Sequence, residues 1–328
     1  MRTLVTGGAG YIGSQTVREL VANGIDVIVI DNLSTGHAAA VPPDVPLVRA
    51  SVADAGALAE ALDGVDAVLH FAASIEAGES VTDPRRFWHN NMVETLALVD
   101  AMVDAGVGRL VFSSTAAVYG NPEAMPISED APLRPTNPYG QTKLAAEMAI
   151  ADYAHAYAIR NVVLRYFNAA GADPSGTHGP DHHHKTHLIT LCMEAAAGRV
   201  DHLAVFGTDY PTIDGTCVRD YVHVADLARG HVDALEYLDE GGDDAVFNLG
   251  NGAGHSVRQV VSCAHEVTGV AFDVVESPRR AGDPTELVAS SDRAREVLGW
   301  KPRRGDLATI VEDAWAWQRS HPDGYGDG

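Results

Sequence analysis

The chain opens on Arg2-Thr3-Leu4-Val5-Thr6, a short run in which no polar residue alternates with the apolar ones. A strand of that kind is covered on both faces, as in a parallel sheet. Similar runs recur at Asp26–Ile30, Val45–Arg49, Ala67–Phe71, Arg109–Thr115 and Asn161–Tyr166. Between the first two, Ile12, Val17, Leu20 and Val21 keep helical spacing. Two longer stretches, Trp88 to Ala105 and Tyr139 to Tyr157, are apolar round most of a helix circumference, which fits either burial or a dimer interface of packed helices. Strand and helix in alternation predict an α/β, doubly wound parallel sheet with helices on both faces. After Gly171 the pattern breaks into shorter elements rich in Gly, Pro, Asp and His. The expected division is therefore residues 1–170, holding the sheet, and a smaller C-terminal α/β domain over 171–328, with some segments returning to the first.

The turn after the first strand reads Gly7-Gly-Ala-Gly10-Tyr-Ile-Gly13 and leads into the first helix. Gly7 permits the tight turn, Gly10 lets backbone approach a pyrophosphate, and Gly13 lets helix and strand pack, as in a Rossmann dinucleotide-binding domain. The second strand ends in Asp31, 21 residues after Gly10. A carboxylate there accepts two ribose hydroxyls and repels a 2′-phosphate, which selects NAD over NADP. Ala72-Ala73, Thr115 and Asn168 fall at carboxyl ends of later strands, where such sheets bind ligands. Tyr139 and Lys143 stand four apart, so a helix presents phenol and ammonium on one face and the charge is expected to favour phenolate. Lysine is scarce, since Lys143, Lys185 and Lys301 are the only ones. The combination points to redox chemistry on a bound dinucleotide.

Composition narrows the surroundings of this site. The formal charge of −22 excludes nucleic-acid binding outside a local basic pocket. It fits either adaptation to high salt or a genome that favours arginine over lysine. No run reaches the ~18 apolar residues of a membrane span, and a strand at Arg2 leaves no room for a signal peptide, so a cytoplasmic protein is expected. Cys192, Cys217 and Cys263 are odd in number and far apart, as free thiols in a reducing compartment would be. His182-His183-His184 lies among Gly, Pro and Asp and is read as a solvated loop; no metal site is expected.

From Thr3 to about Trp317 the chain resembles the UDP-glucose (UDP-galactose) 4-epimerases of the extended short-chain dehydrogenase/reductase family. The likeness rests on Thr6-Gly-Gly-Ala-Gly-Tyr-Ile-Gly-Ser14, Asp31-Asn-Leu-Ser34, His70-Phe-Ala-Ala73, Gly78-Glu-Ser80, Ser113-Ser-Thr-Ala-Ala-Val-Tyr-Gly120 and Asn137-Pro-Tyr-Gly-Gln-Thr-Lys143. It continues through Arg165-Tyr-Phe-Asn168, the long segment Phe206–Asp226 and Arg279–Asp283. The resemblance implies that Tyr139, as phenolate, takes the proton of the sugar 4-hydroxyl while hydride passes to NAD. A transient 4-keto sugar then turns over and takes the hydride back on its other face. Thr115 would hydrogen-bond O4, and Lys143 would support the phenolate. The cofactor would meet Gly7, Gly10, Tyr11, Ile12, Gly13, Asp31, Asn32, Ser51, Val52, Phe71, Ala72, Ala73, Asn90, Ser113 and Tyr166 besides Tyr139 and Lys143. On the UDP-sugar side the resemblance implies Arg219 and Arg280 on the diphosphate, Asn168 beside it, Asp283 on the uridine ribose and Phe206 at the uracil. Leu287 would face the sugar 2-substituent, and a homodimer would form through the two long helices. An ion pair with Asp220 is the alternative reading of Arg219.

Three departures from the family pattern stand out. Ser51 replaces an aspartate facing adenine, so that contact falls to a hydroxyl, to Asp54 or to water. Ile75 replaces a lysine, and His187-Leu188 replaces an Asn-Leu pair on the substrate phosphate. A 4,6-dehydratase would need an acid and a base where Ala116 and Ala117 stand. An epimerase for UDP-GlcNAc/UDP-GalNAc, UDP-glucuronate or UDP-pentoses is the nearer alternative. An NAD-sensing regulator would have little use for Thr115, Tyr139 and Lys143 together.

Overall fold

A computed structural model describes residues 1–182, 185–280 and 283–326. In the first half, strands β1 (Arg2–Thr6), β2 (Asp26–Asp31), β3 (Leu47–Arg49), β4 (Ala67–His70), β5 (Arg109–Thr115) and β6 (Arg160–Tyr166) alternate with helices. These helices are α1 (Tyr11–Ala22), α2 (Ala55–Ala61), α3 (Ala77–Thr82), α4 (Pro84–Trp88), α5 (Glu94–Ala105) and α6 (Pro138–Tyr157). The second half adds β7 (Asn168–Ala170), α7 (Leu188–Ala196), β8 (Leu203–Phe206), β9 (Val218–His223), α8 (Val224–Asp239) and β10 (Ala245–Leu249). Beyond these come β11 (Gly254–Ser256), α9 (Val257–Thr268), β12 (Val274–Ser277), β13 (Glu286–Leu287), α10 (Asp292–Val297) and α11 (Leu307–Ser320).

The main sheet has seven parallel strands in the order β10-β6-β5-β4-β1-β2-β3. The chain runs outward from β1 to β3 and then returns to place β4 beside β1, so a crevice opens between their carboxyl ends. One face of the sheet buries Val17 and Leu20 of α1 with Leu227, Leu235 and Leu238 of α8. The opposite face buries Leu58 of α2, Leu98 and Met102 of α5, and Ala146 and Ile150 of α6. A third cluster joins α7, α9 and α11 through Ile189, Val260 and Ile310.

The sequence pattern stops short of this layout at two places. It places only six strands in the sheet, and β10, with α8 packed over it, comes back from far along the chain. The expected single helix from Trp88 is also interrupted, because His89–Val93 forms a π-helical turn between α4 and α5. Such a turn re-aims its side chains, and here it turns Asn90 and Asn91 toward the loop after β4.

Candidate active site

The glycine turn is fixed by sterics. Gly7 has φ of +69°, and a Cβ there would lie 2.5 Å from the Ala72 nitrogen; at Gly13 a Cβ would lie 2.3 Å from the Gly7 oxygen. Gly10 differs, since only the Gly7 oxygen, at 3.3 Å, comes near its Cβ position and its outer side is open to a ligand. Helix α1 starts at Tyr11 with no side-chain cap, which leaves first-turn N–H groups for an anion. Asp31 is buried, and its two carboxylate oxygens accept the Ala9 N–H at 3.0 Å and the Leu33 N–H at 2.8 Å. Each oxygen keeps a free lone pair for a ribose hydroxyl. An open glycine cradle, free helix N–H groups and this carboxylate fit a dinucleotide with an unmodified adenosine ribose.

Around this turn, Asn32 is exposed and accepts the Ser34 N–H, while Val52 is buried with Leu4 and Ile30 and offers only main chain. Ser51 donates to Glu94 at 3.0 Å. Asp54 caps α2 by accepting the Gly56 and Ala57 N–H groups through one carboxylate oxygen. Asn90 accepts from the Ser74 hydroxyl at 2.9 Å and lines an open polar cleft with Ser34, His89 and Glu94.

Tyr139 and Lys143 reach the crevice because α6 begins next to it. Pro138 takes the first helical position and the Asn137 side chain accepts the Gly140 N–H at 2.9 Å. The Tyr139 phenol comes near the Thr115 hydroxyl at the end of β5. Burial pushes the phenol up to about 12, and the nearby Thr115 hydroxyl is the largest opposing influence. The Lys143 ammonium donates to the Ser113 carbonyl at 2.9 Å and lies 4.8 Å from the centre of the Phe112 ring. Burial brings it down to about 7, opposed by the negative charge of Glu147. The expectation that Lys143 lowers the phenol is therefore not met in this arrangement. Its ammonium turns to the carbonyl, and desolvation governs both groups.

On the substrate side, Tyr11, Asn168, His187 and Leu188 line one enclosed cavity between β7, α7 and α11. Arg219 stands 3.8 Å from Asp283 and donates to the Val218 carbonyl. Asp220 is no partner of Arg219, because it is buried and accepts the Asn251, Gly252 and Ala289 N–H groups. The Arg280 guanidinium stacks 3.8 Å over the Phe206 ring. Leu287 pairs with Arg219 across β13 and β9, which sets it beside the arginine.

The solvated-loop expectation for the histidine run is corrected at His182, whose ring meets Tyr11 edge-on at 5.7 Å and stacks on His187 at 5.2 Å. His183 and His184 lie outside the described residues. Among the described residues no cluster of His, Cys, Asp or Glu is placed to hold a metal, and no helix is long and apolar enough to cross a membrane. Sequence reasoning missed Glu76, which accepts from Thr186 at 2.7 Å and whose charge reaches both Tyr139 and His187. It also missed Glu147, although a place four residues after Lys143 was a legible signal.

A parallel sheet with a glycine turn at its switch point and a tyrosine and lysine on the flanking helix define a class, and comparison with known proteins bears it out. A profile of the NAD dependent epimerase/dehydratase family matches residues 3–250, and the chain belongs to that family. It is similar to a UDP-glucose 4-epimerase of Corynebacterium glutamicum, at 50% identity over 98% of each chain. Among solved structures it is similar to the UDP-glucose 4-epimerase from Brucella ovis in complex with NAD, with 47% identity, a TM-score of 0.93 and coverage of 96% and 97%. The enzyme from Bifidobacterium longum, solved with NAD+ and UDP, is 36% identical with a TM-score of 0.94 over 99% and 100% of the chains.

Proposed function

We infer that the chain is a UDP-glucose 4-epimerase that interconverts UDP-glucose and UDP-galactose with NAD as resident cofactor. The observation that carries this reading is the placement of the Tyr139 phenol, at the start of α6, beside the Thr115 hydroxyl at the carboxyl end of β5, close enough for the hydroxyl to act on its pKa. Two oxygens so placed can hold one sugar hydroxyl between them and move its proton. NAD, when bound, supplies a hydride acceptor that returns the same hydride, and a positive ring that favours phenolate. Tyr139 then acts as the base, with Thr115 orienting the hydroxyl and relaying the proton. Lys143 contributes its charge to the pocket floor through Ser113.

The planar cations Arg219 and Arg280 suit a diphosphate, and Asp283 beside Arg219 suits a ribose. His187 and Leu188 lie at the start of α7, where main-chain N–H groups also favour an anion. Residues 1–170 carry the cofactor in this reading, and 171–328 carry the nucleotide sugar, apart from the returning α8 and β10. The outward faces of α5, α6 and the turn before them expose Val93 and Met148, which supports a homodimer through these helices. Equilibrium sedimentation that finds a monomer at micromolar concentration would remove that part. A cytoplasmic location accompanies this assignment. The reading is tested by adding UDP-galactose to the purified protein and following UDP-glucose with a coupled dehydrogenase. Formation of UDP-glucose, read as NADH that appears only when the coupling dehydrogenase is present, is expected, and no conversion would overturn it.

A further inference from the structure

Ser113 meets two groups at the crevice floor. Its carbonyl takes the Lys143 ammonium at 2.9 Å. The hydroxyl is 2.9 Å from Nε2 of His231. His231 belongs to α8, is fully buried, and has Nδ1 2.8 Å from the Leu227 carbonyl oxygen. A carbonyl only accepts, so Nδ1 carries the ring proton. Burial lowers the imidazole to about 4, which keeps it neutral and leaves Nε2 as an acceptor. Ser113 has one proton, and it goes to His231. Donation therefore runs in one direction, from Ser113 through His231 to Leu227. The opposite tautomer would strand the Leu227 carbonyl against a bare nitrogen.

The ring is also wedged between strand ends. It packs 4.5 Å from Phe71, just past β4, and 6.0 Å from Tyr166 at the end of β6, while bonding Ser113 in β5. One side chain from α8 thus ties three neighbouring strands at the floor of the crevice.

We propose that His231 is a positioning residue for the epimerisation: as the neutral Nδ1–H tautomer it orients the Ser113 hydroxyl and so fixes the end of β5, whose Ser113 carbonyl holds the Lys143 ammonium. Without that hold on Ser113, the carbonyl that anchors the Lys143 ammonium would shift at the crevice floor. The inference rests on the epimerase reading, but part of its test does not.

Nitrogen-15 NMR of the histidine-labelled full chain, without added sugar, should give His231 as the Nδ1–H tautomer with no titration between pH 8 and 5. Ser113→Ala should shift its Nε2 resonance. An Nε2–H tautomer, or titration near the ordinary histidine value, overturns the proposal whatever the enzyme does. In kinetics on UDP-galactose, His231→Gln keeps an acceptor near the ε position and His231→Asn keeps only the δ donor. Asn should lose roughly 10-fold in kcat with KM unchanged, the scale of one misdirected hydrogen bond, and Gln should recover to within about 3-fold. Equal losses in both, in step with lower melting temperatures, would make the ring mere packing and overturn the proposal. If the wild type leaves UDP-galactose unchanged, the epimerase reading fails while the NMR arm still decides the role of His231.

Discussion

Glu147→Gln isolates one charge in the floor beneath the candidate site. Glu147 lies four residues past Lys143 on α6, and its side chain and that of Arg165 are only 8% and 5% exposed. The carboxylate accepts Arg165 Nε at 3.1 and 3.2 Å and Nη2 at 2.6 Å, and it also takes the Ser114 hydroxyl. With so little exposure, solvent screens the pair weakly. Glutamine keeps the volume and removes the charge, leaving a buried guanidinium without its partner. That loss costs about 3–5 kcal/mol, whereas removing both charges as Glu147→Leu with Arg165→Met costs far less, because desolvation nearly offsets the attraction. Urea unfolding gives the readout. At an m-value of ~3 kcal/mol/M, the single variant should lower the midpoint by roughly 1–1.7 M with m unchanged. A loss below ~1 kcal/mol, or a double variant as unstable as the single, would refute the reasoning. The same change removes the charge that opposes the lowering of Lys143, so activity at alkaline pH should fall off earlier than in the wild type.

Three other outcomes follow. Burial takes Lys143 to about 7, so between that pH and the ordinary ~10.4 the unfolded chain binds more protons than the native one. Stability relative to Lys143→Met should therefore rise with pH across that window, by at most ~1.4 kcal/mol per unit; a flat difference would contradict the burial argument. Asp31→Asn retains an acceptor for one of the two backbone N–H groups and removes the charge, so fluorescence titration should show a narrower preference for NAD over NADP. An unchanged preference with intact binding would exclude Asp31 as the selector. Leu287→Tyr should suppress UDP-GlcNAc/UDP-GalNAc turnover, which in the wild type is expected to be measurable but weaker than for UDP-glucose/UDP-galactose. A pocket change of this size is worth only ~1–3 kcal/mol, so the discrimination is partial. Equal N-acetyl rates in both proteins would remove Leu287 as the gate.

The elements legible in the sequence were those whose burial leaves a local mark. β1, β2, β4, β5 and β6 read as apolar runs because each is covered on both faces, and the glycine turn is dictated by contacts within the first 72 residues. β10 was not legible, since Ala245–Leu249 is short, ends in Asn-Leu, and acquires its place only by pairing with β6 more than 70 residues earlier. The four-residue spacing of Tyr139 and Lys143 correctly put both on one helix face. Spacing does not say where a four-carbon stem directs its ammonium, and the Ser113 carbonyl decided that. His231 had no local signature at all; its role arises where α8 crosses three strand ends.

The central claim is that Tyr139 is the base that inverts C4 of a UDP-sugar. Tyr139→Phe removes one oxygen and leaves the helix, the Thr115 hydroxyl and the glycine cradle in place. Turnover of UDP-galactose by this variant, measured on protein shown to retain NAD, tests the claim most directly. A loss of roughly 10²-fold or more in kcat is predicted. Turnover close to that of the wild type would contradict the account.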